Sequence, residues 1–262
     1  MTKFPIGLLS LFLTAGAVSA QSVVSFTGNY TQNFNGLPVV TLAATTIPNT
    51  GYPYDLSASP FESTGMEGWQ IRNSATNALA YRVYGLSGTG AGFVTFGADG
   101  EDYALGSISN GTSALPQFGV VLKNSTGITI TEATISFDGE QWRGSGAADV
   151  LAFSYQVSTE NKINAGDTFL SPGGSFNLVG STTSGLIDGS SAGLITGLGG
   201  TLTGLNWEAD SYLILRWTNS TASAGLAIDN FAITAIPEPS TYALFAGLGA
   251  FGLVLRLRRR AI

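Results

Sequence analysis

The sequence predicts an all-β fold between Gln21 and Ile236, an antiparallel two-sheet sandwich of jelly-roll type. Apolar and polar residues alternate in several runs, which is the period of strands that bury one face. Gly, Ser, Thr and Asn interrupt the chain throughout, and no apolar pattern at helical spacing extends beyond about two turns. About ten or more short strands without intervening helices favour a sandwich over a parallel βαβ sheet. A closed barrel is the alternative architecture.

The individual strands follow from this alternation. It is clearest in Leu151–Val157 and in Leu213–Trp217. The run Ile128–Phe137 changes phase near Glu132, which predicts a β-bulge. Pro172–Gly204 is rich in Gly, Ser and Thr and is predicted to form long loops with short strands. The other predicted strands are Tyr30–Phe34, Gly68–Arg72, Leu79–Tyr84, Gly92–Phe96, Tyr103–Ser107, Phe118–Lys123 and Leu226–Thr234.

The C-terminal residues have the pattern of a sorting signal. Its three parts are Pro237-Glu238-Pro239, the apolar run Thr241–Leu255, and the arginines Arg256, Arg258, Arg259 and Arg260. As a helix the apolar run would be about 22 Å long, which is short for a bilayer core of about 30 Å. The arginines should stay in the cytoplasm, so the preceding residues should lie on the far side of the membrane. The arrangement resembles the PEP-CTERM sorting signal, which implies a transient membrane helix and an exosortase-type processing enzyme at the inner membrane.

The N-terminal residues have the pattern of a signal peptide. Lys3 precedes the apolar stretch Ile6–Val18, and small residues end at Ala20, after which we place the cleavage. The chain is therefore divided into a signal peptide (1–20), a β-sandwich domain (21–236) and a sorting signal (237–262).

The composition excludes several classes of site. The chain has no Cys and no His, which excludes disulfides, thiol nucleophiles, imidazole triads and Cys- or His-based zinc sites. Removing Lys3 and the four tail arginines leaves six basic residues, and removing Glu238 leaves sixteen acidic ones, so the body has a net charge near −10. Nucleic acid is therefore not an expected partner, since its phosphates would be repelled.

The densest group of functional side chains is Gly139-Glu140-Gln141-Trp142-Arg143. One interpretation is a saccharide platform, in which Trp142 stacks on a sugar ring and Glu140, Gln141 and Arg143 bind its hydroxyl groups. The other places Trp142 in the core and pairs Glu140 with Arg143 or another charge. The exposure of Trp69, Trp142, Trp207 and Trp217 decides between them: indoles exposed side by side favour glycan binding, and four buried indoles indicate a structural protein.

Asp229 is a candidate cation ligand. Simple alternation places it on an inward apolar face with Ala227, Phe231 and Ile233. A buried carboxylate needs backbone N–H groups, a cation or a basic partner. The segment resembles the last strand of jelly-roll carbohydrate-binding modules, some of which hold a structural Ca²⁺ with this Asp, so one Ca²⁺ is the expected cofactor. Satisfaction by backbone N–H groups alone is the alternative.

The body also resembles a secreted bacterial β-domain found alone with sorting tails or beside extracellular nuclease and phosphatase-like modules. The segments that resemble it are Asn29–Leu37, Tyr103–Ser107, Gly139–Arg143 and Leu226–Phe231. The resemblance implies a fold and a compartment rather than a reaction. Asn230 stands where that family often has a second Asp.

These observations predict an exported, non-catalytic protein of the cell surface or extracellular matrix that binds glycan or is structural. PEP-CTERM proteins are associated with exopolysaccharide and biofilm, so extracellular polysaccharide is the expected partner. The alternative is a secreted hydrolase that acts on polysaccharide through two carboxylates, such as Glu140 and Asp138, which are two positions apart and would share a face if the segment is a strand.

Overall fold

The computed structural model describes residues 21–37, 53–58, 60–74, 80–84, 90–97, 102–109, 115–164, 166–220 and 223–237. The predicted signal peptide with its cleavage at Ala20, and the sorting signal from Glu238 onward, lie outside these residues. Within the described ranges, no helix is long and apolar enough to cross a membrane. The predicted domain boundaries remain predictions.

The described residues form fifteen strands and one short 3₁₀ helix at Gly174–Phe176. The strands are β1 (Val24–Phe26), β2 (Asn29–Gln32), β3 (Tyr54–Asp55), β4 (Trp69–Asn73), β5 (Tyr81–Tyr84), β6 (Gly92–Phe96), β7 (Ala104–Ile108), β8 (Pro116–Asn124), β9 (Ile130–Ser145), β10 (Val150–Ser158), β11 (Leu178–Val179), β12 (Ser184–Leu186), β13 (Leu194–Trp207), β14 (Tyr212–Asn219) and β15 (Gly225–Ala235).

Two sheets make up the fold. Sheet A has seven strands in the order β11-β10-β14-β8-β4-β3, with β1 also paired to β8. Sheet B has eight strands in the order β12-β9-β15-β7-β6-β5, with β13 also paired to β9 and β2 to β15. The predicted all-β, two-sheet sandwich is confirmed. Among the described strands its pairing is antiparallel except for β1 with β8 and β5 with β6, which are parallel.

The core between the sheets is dominated by aromatic side chains. Trp217 of sheet A packs edge-on against Phe137 of sheet B, with ring centroids 5.4 Å apart, and against Phe231 at 5.8 Å. It stacks on Trp69 at 6.1 Å. Aromatic rings bury large areas and pair at these distances and angles. A domain without cysteine therefore depends on this packing for its stability.

The strand predictions from alternation are largely confirmed, and one segment differs. The irregularity expected near Glu132 exists, but the extra residues lie on β13, where the register shifts between Thr203 and Trp207 opposite Glu132 and Ile130. The prediction of loops with short strands for Pro172–Gly204 was wrong in its last part, because β13 runs from Leu194 to Trp207. Glycines with positive φ interrupt its alternation, so the sequence does not show a strand period there.

Candidate functional site

The outer face of sheet B, away from the core, carries a second buried cluster. It consists of Val94, Phe96, Ala104, Ile108, Trp142 and Ala227. The strand register places Glu140 of β9 opposite Ala227 of β15, and Asp138 opposite Asp229. Since directly paired residues share a sheet face, these carboxylates lie on the same outer face as the rings. The arrangement therefore combines aromatic rings and carboxylates at one place.

Trp142 is enclosed within this cluster. Its ring stacks on Phe96 with centroids 5.6 Å apart and planes at 7°, and only 3% of the residue is exposed. Its indole N–H donates to Oε2 of Glu140 at 2.7 Å. Gly189 lies against the edge of the ring, since a Cβ there would be 2.3 Å from the indole nitrogen. The ring is therefore not available to stack on a sugar in this structure, and the core interpretation describes its position.

The four residues of the predicted platform do not converge on one surface. Gln141 is buried and accepts hydrogen bonds from the backbone N–H and hydroxyl of Ser181, so it fixes a loop. Arg143 is half-buried and, within the described residues, forms no ion pair with Glu140. Strand alternation places Gln141 and Arg143 on the opposite face from Glu140 and Trp142. The predicted pairing of Glu140 with Arg143 is therefore replaced by the bond from Trp142.

All four tryptophan side chains of the protein are buried. Trp69, Trp207 and Trp217 are fully buried, and Trp142 nearly so. The sequence analysis associated four buried indoles with a structural protein, and this is the arrangement found. An aromatic platform for a sugar is not formed by tryptophan in this fold.

Asp229 is buried, as predicted, but on the other side of the sheet. Ile228 and Phe231 lie in the core between the sheets, whereas Ala227 lies in the outer cluster. The switch occurs because Asn230 adopts a positive φ of 51° and the register with β9 shifts between Asp229 and Ala232. A β-bulge of this kind adds one residue and changes the phase of the strand. The predicted face containing Ala227, Asp229 and Phe231 together was therefore wrong.

Asp138 ties the two bulged strands to β9. Its Oδ1 accepts a hydrogen bond from the backbone N–H of Gly197 at 3.1 Å, and its Oδ2 accepts one from the Asn230 amide at 3.1 Å. Asp138 does share a face with Glu140, as predicted. Because each of its carboxylate oxygens accepts a hydrogen bond from a neighbouring strand, Asp138 has a structural role in holding these strands together.

Glu140 and Asp229 are two acidic groups with little compensation. Burial raises the pKa of each to about 7. The indole N–H of Trp142 partly offsets this for Glu140, and the negative charges of Asp102 and Asp138 raise the pKa of both further. Among the residues that the structure describes, buried Oδ1 of Asp229 has no hydrogen-bond partner. Buried carboxylates in this situation hold a proton or a cation near neutral pH.

A metal centre is not evident from the side chains alone. In the part of the chain that the structure describes, no group of three or more Asp or Glu residues has the geometry to hold a metal ion. The expected Ca²⁺ at Asp229 therefore remains a prediction. Carboxylate oxygens of Glu140 and Asp229 are hard ligands of the type that Ca²⁺ takes.

Known proteins resemble the chain at two levels. Residues 235–260 match the family described as PEP-CTERM protein-sorting motif. The chain therefore carries a PEP-CTERM sorting motif. The match covers the predicted Pro-Glu-Pro, apolar and arginine segments, and it implies export with a transient membrane anchor and processing by an exosortase. No curated protein matches the chain.

Several solved β-domains resemble it in structure. The CBM22-1 xylan-binding domain of Xyn10C from Paenibacillus barcinonensis is 18% identical, with 66% of this chain and 88% of that chain covered and a TM-score of 0.35. The K3 cleaved adhesin domain of Lys-gingipain from Porphyromonas gingivalis is 13% identical, with 64% and 91% covered and a TM-score of 0.38. TmCBM61, solved with β-1,4-galactotriose, is 12% identical, with 52% and 72% covered and a TM-score of 0.30. Likenesses this distant carry no argument about a ligand or an activity.

Proposed function

We propose that this chain is an exported, non-catalytic protein of the cell surface or extracellular matrix, whose sandwich is structural or binds extracellular polysaccharide. The observation that carries the proposal is the sorting motif at residues 235–260, which follows directly on β15 at Ala235. An exosortase-type enzyme that cuts in this tail would release a complete sandwich on the far side of the membrane.

The burial of the carboxylates supports a non-catalytic role. A glycosidase needs an acid and a second carboxylate on either side of a glycosidic bond. Only 5% of Glu140 and 2% of Asp229 are exposed, so a polysaccharide has no contact with either group in this structure. Both oxygens of Asp138 are occupied by neighbouring strands. The hydrolase alternative with Glu140 and Asp138 therefore has less support than a binding or structural role.

The burial of all four indoles supports the structural form of the proposal, or binding through polar side chains. A sugar ring stacks on an exposed aromatic face, and these indoles are enclosed. If the sandwich binds glycan, hydrogen bonds and charge would supply the recognition.

Fractionation of a bacterium that has an exosortase tests the export proposal. We expect the full-length chain to reach the surface or medium, and a chain ending at Ile236 to be released in soluble form. A variant with Arg256, Arg258, Arg259 and Arg260 changed to Gln should be sorted poorly, since those charges set the membrane orientation. Recovery of the full-length sandwich from the cytoplasm would contradict the proposal.

An activity assay tests the non-catalytic part. Wild type and Glu140→Gln should both fail to release reducing sugar from a panel of neutral and acidic polysaccharides. Release by wild type that is lost in Glu140→Gln would establish the hydrolase instead, because the Gln variant cannot transfer a proton.

A further inference from the structure

An open cleft lies on the side of the sandwich where β10 of sheet A comes close to β13 of sheet B. This edge of β10 is accessible because its outer neighbour β11 pairs only with Val150 and Leu151. The cleft has a volume of about 380 Å³, within the range of about 300–1,000 Å³ for small-molecule sites. Seven residues from three segments line it: residues 156–159 at the end of β10, Asn206 near the end of β13, and Glu208 and Ser211 in the turn before β14.

Val157 supplies unpaired backbone groups to the cleft. Tyr155, two positions earlier, exchanges backbone hydrogen bonds of 2.9 and 2.8 Å with Leu170, on the side of β10 away from β14. Every second residue of an antiparallel strand directs its N–H and C=O to the same side. The N–H and C=O of Val157 therefore point the same way, and neither has a partner among the described residues. One backbone donor and one backbone acceptor are thus open to a ligand.

The polar side chains of the cleft also lack partners. Thr159, Asn206 and Glu208 are exposed, and in the described part of the chain their side chains form no hydrogen bond and no ion pair. Oε1 of Gln156 is likewise without a partner there, so no hydrogen bond to that oxygen fixes the orientation of its carboxamide. The cleft therefore combines several donors and acceptors that a ligand can use.

The turn between β13 and β14 holds one wall of the cleft in place. Asn206 has a positive φ of 45° at the register shift before Trp207, and a bulge of this kind redirects a side chain. The indole N–H of Trp207 donates to the carbonyl of Ser211 at 3.1 Å, and the Ser211 hydroxyl donates to the carbonyl of Glu208 at 2.7 Å. Unusual backbone angles maintained by surrounding contacts are concentrated at functional sites. This wall is therefore ordered before a ligand binds.

The charges around the cleft favour an uncharged ligand. Of the seven lining residues only Glu208 is charged, so an anion would be repelled. The adjacent Asp210 is neutralised by Lys123, whose Nζ lies 2.6 Å from Oδ1. One carboxylate is too few for a metal site, since Ca²⁺ takes six to eight oxygen ligands. Sugar hydroxyl groups both donate and accept hydrogen bonds, which matches the mixed groups of the cleft.

We propose that this cleft binds a short segment of an uncharged polysaccharide, whose hydroxyl groups supply the partners that these polar groups lack. The inference rests on the proposed function and names the site and the ligand class for its glycan-binding form. The Glu208 carboxylate accepts from sugar hydroxyls, while the carboxamides of Gln156 and Asn206 donate and accept. Because none of the lining residues is aromatic, stacking adds nothing and binding should be weak.

Titration of the full-length protein with short neutral oligosaccharides tests the cleft. The protein is kept in a polyoxyethylene detergent, because a detergent with a sugar head group would compete. The probes are linear oligomers of glucose, galactose and mannose, with a galacturonate oligomer as the charged comparison, and ligand-observed NMR detects weak complexes. We expect a neutral oligomer to bind with little effect of added salt, and the galacturonate oligomer not to bind.

Two substitutions remove the proposed contacts. Glu208→Gln keeps the shape of the side chain and should weaken binding about fivefold or more, because hydrogen bonds to a charged acceptor are the stronger ones. Asn206→Gly removes a carboxamide and should weaken binding by a similar factor, while glycine readily adopts the positive φ of this position. A thermal melt of each variant identifies folded protein, and if Asn206→Gly does not fold, the exposed Glu208→Gln carries the test.

Glu62→Gln is the matched control. Glu62 is also an exposed carboxylate without an ion pair among the described residues, but it follows β3, at the opposite edge of sheet A from β10. This variant removes the same charge from the protein as Glu208→Gln does. Its affinity for the neutral oligomer should equal that of the wild type.

Three results would overturn the site: no binding of any neutral oligomer, equal binding of the galacturonate oligomer, or unchanged affinity in the folded Glu208 and Asn206 variants. These outcomes are separable from failure of the proposed function. A protein that is exported normally but binds no neutral oligomer refutes only the cleft. Cytoplasmic retention of a protein that still binds the oligomer refutes only the export proposal.

Discussion

Asp229→Asn should stabilise the sandwich at alkaline pH and not at acidic pH. Asn has the shape of Asp and no charge, so it removes the cost of an ionised carboxylate whose Oδ1 has no partner among the described residues. Its backbone neighbour Asn230 can still donate to the remaining oxygen. The effect should depend on pH because burial moves the ionisation of Asp229 itself into the neutral range, and the charge of Glu140 adds to this shift.

The size of the effect follows from the pKa. Folding raises the pKa of Asp229 from 3.8 to about 7. A raised carboxyl pKa means that the folded state binds the proton more tightly, so this contribution is complete below the unfolded pKa and is lost as pH rises through the folded one. As the pH rises from about 5 to about 8, ionisation of Asp229 alone should lower the free energy of unfolding of the wild type by about 2.5 kcal/mol. Loss of the Asp229 charge also eases the ionisation of Glu140, so the change measured for the variant belongs to the pair of carboxylates.

Urea unfolding of wild type and Asp229→Asn at both pH values, in the presence of a chelator, measures this difference. Asp149→Asn is the matched control. Asp149 is also buried but accepts hydrogen bonds from Gln141 and from the backbone and hydroxyl of Ser145. That variant should be destabilised at both pH values. If Asp229→Asn gives the same change in unfolding free energy at both pH values, the argument from an uncompensated buried carboxylate is refuted.

Two further predictions concern the outer face of sheet B. If Asp229 holds Ca²⁺, chelation should lower the melting temperature of wild type, Ca²⁺ should restore it, and Asp229→Ala should abolish the response; identical melting curves would leave Asp229 without a cation. Trp142→Ala should lower the unfolding free energy by about 3–5 kcal/mol, because it removes a buried ring that stacks on Phe96. Trp142→Phe should lose less, and a fully stable alanine variant in urea unfolding would show that the ring is not part of the core.

Local patterns in the sequence determine most of the strands. Leu151–Val157 and Leu213–Trp217 alternate clearly because their inner faces pack on a shared core, and they lie within β10 and β14. β13 has no such pattern, because glycines with positive φ at Gly197, Gly199 and Gly204 allow it to bend without alternating. Its strand character comes from pairing with β9, which is a non-local property.

The candidate sites depended on information that a strand pattern does not contain. Asp229 was correctly selected as a buried carboxylate, but the bulge at Asn230 reversed its face. The stretch Glu140–Arg143 was selected for its density of functional groups, while Trp142 is enclosed by residues distant in sequence, Phe96 and Gly189.

The position of β15 sets the order of events during export. This last strand lies inside sheet B, between β9 and β7, and also pairs with β2 near the start of the domain. The sheet therefore cannot close until residues 225–235 are available, and these are followed at once by the sorting motif. We therefore expect the domain to remain incompletely folded, and able to pass through a translocation channel, until nearly all of it has been threaded. In that case the sandwich would complete its folding on the far side of the membrane at about the time that the sorting motif reaches the membrane.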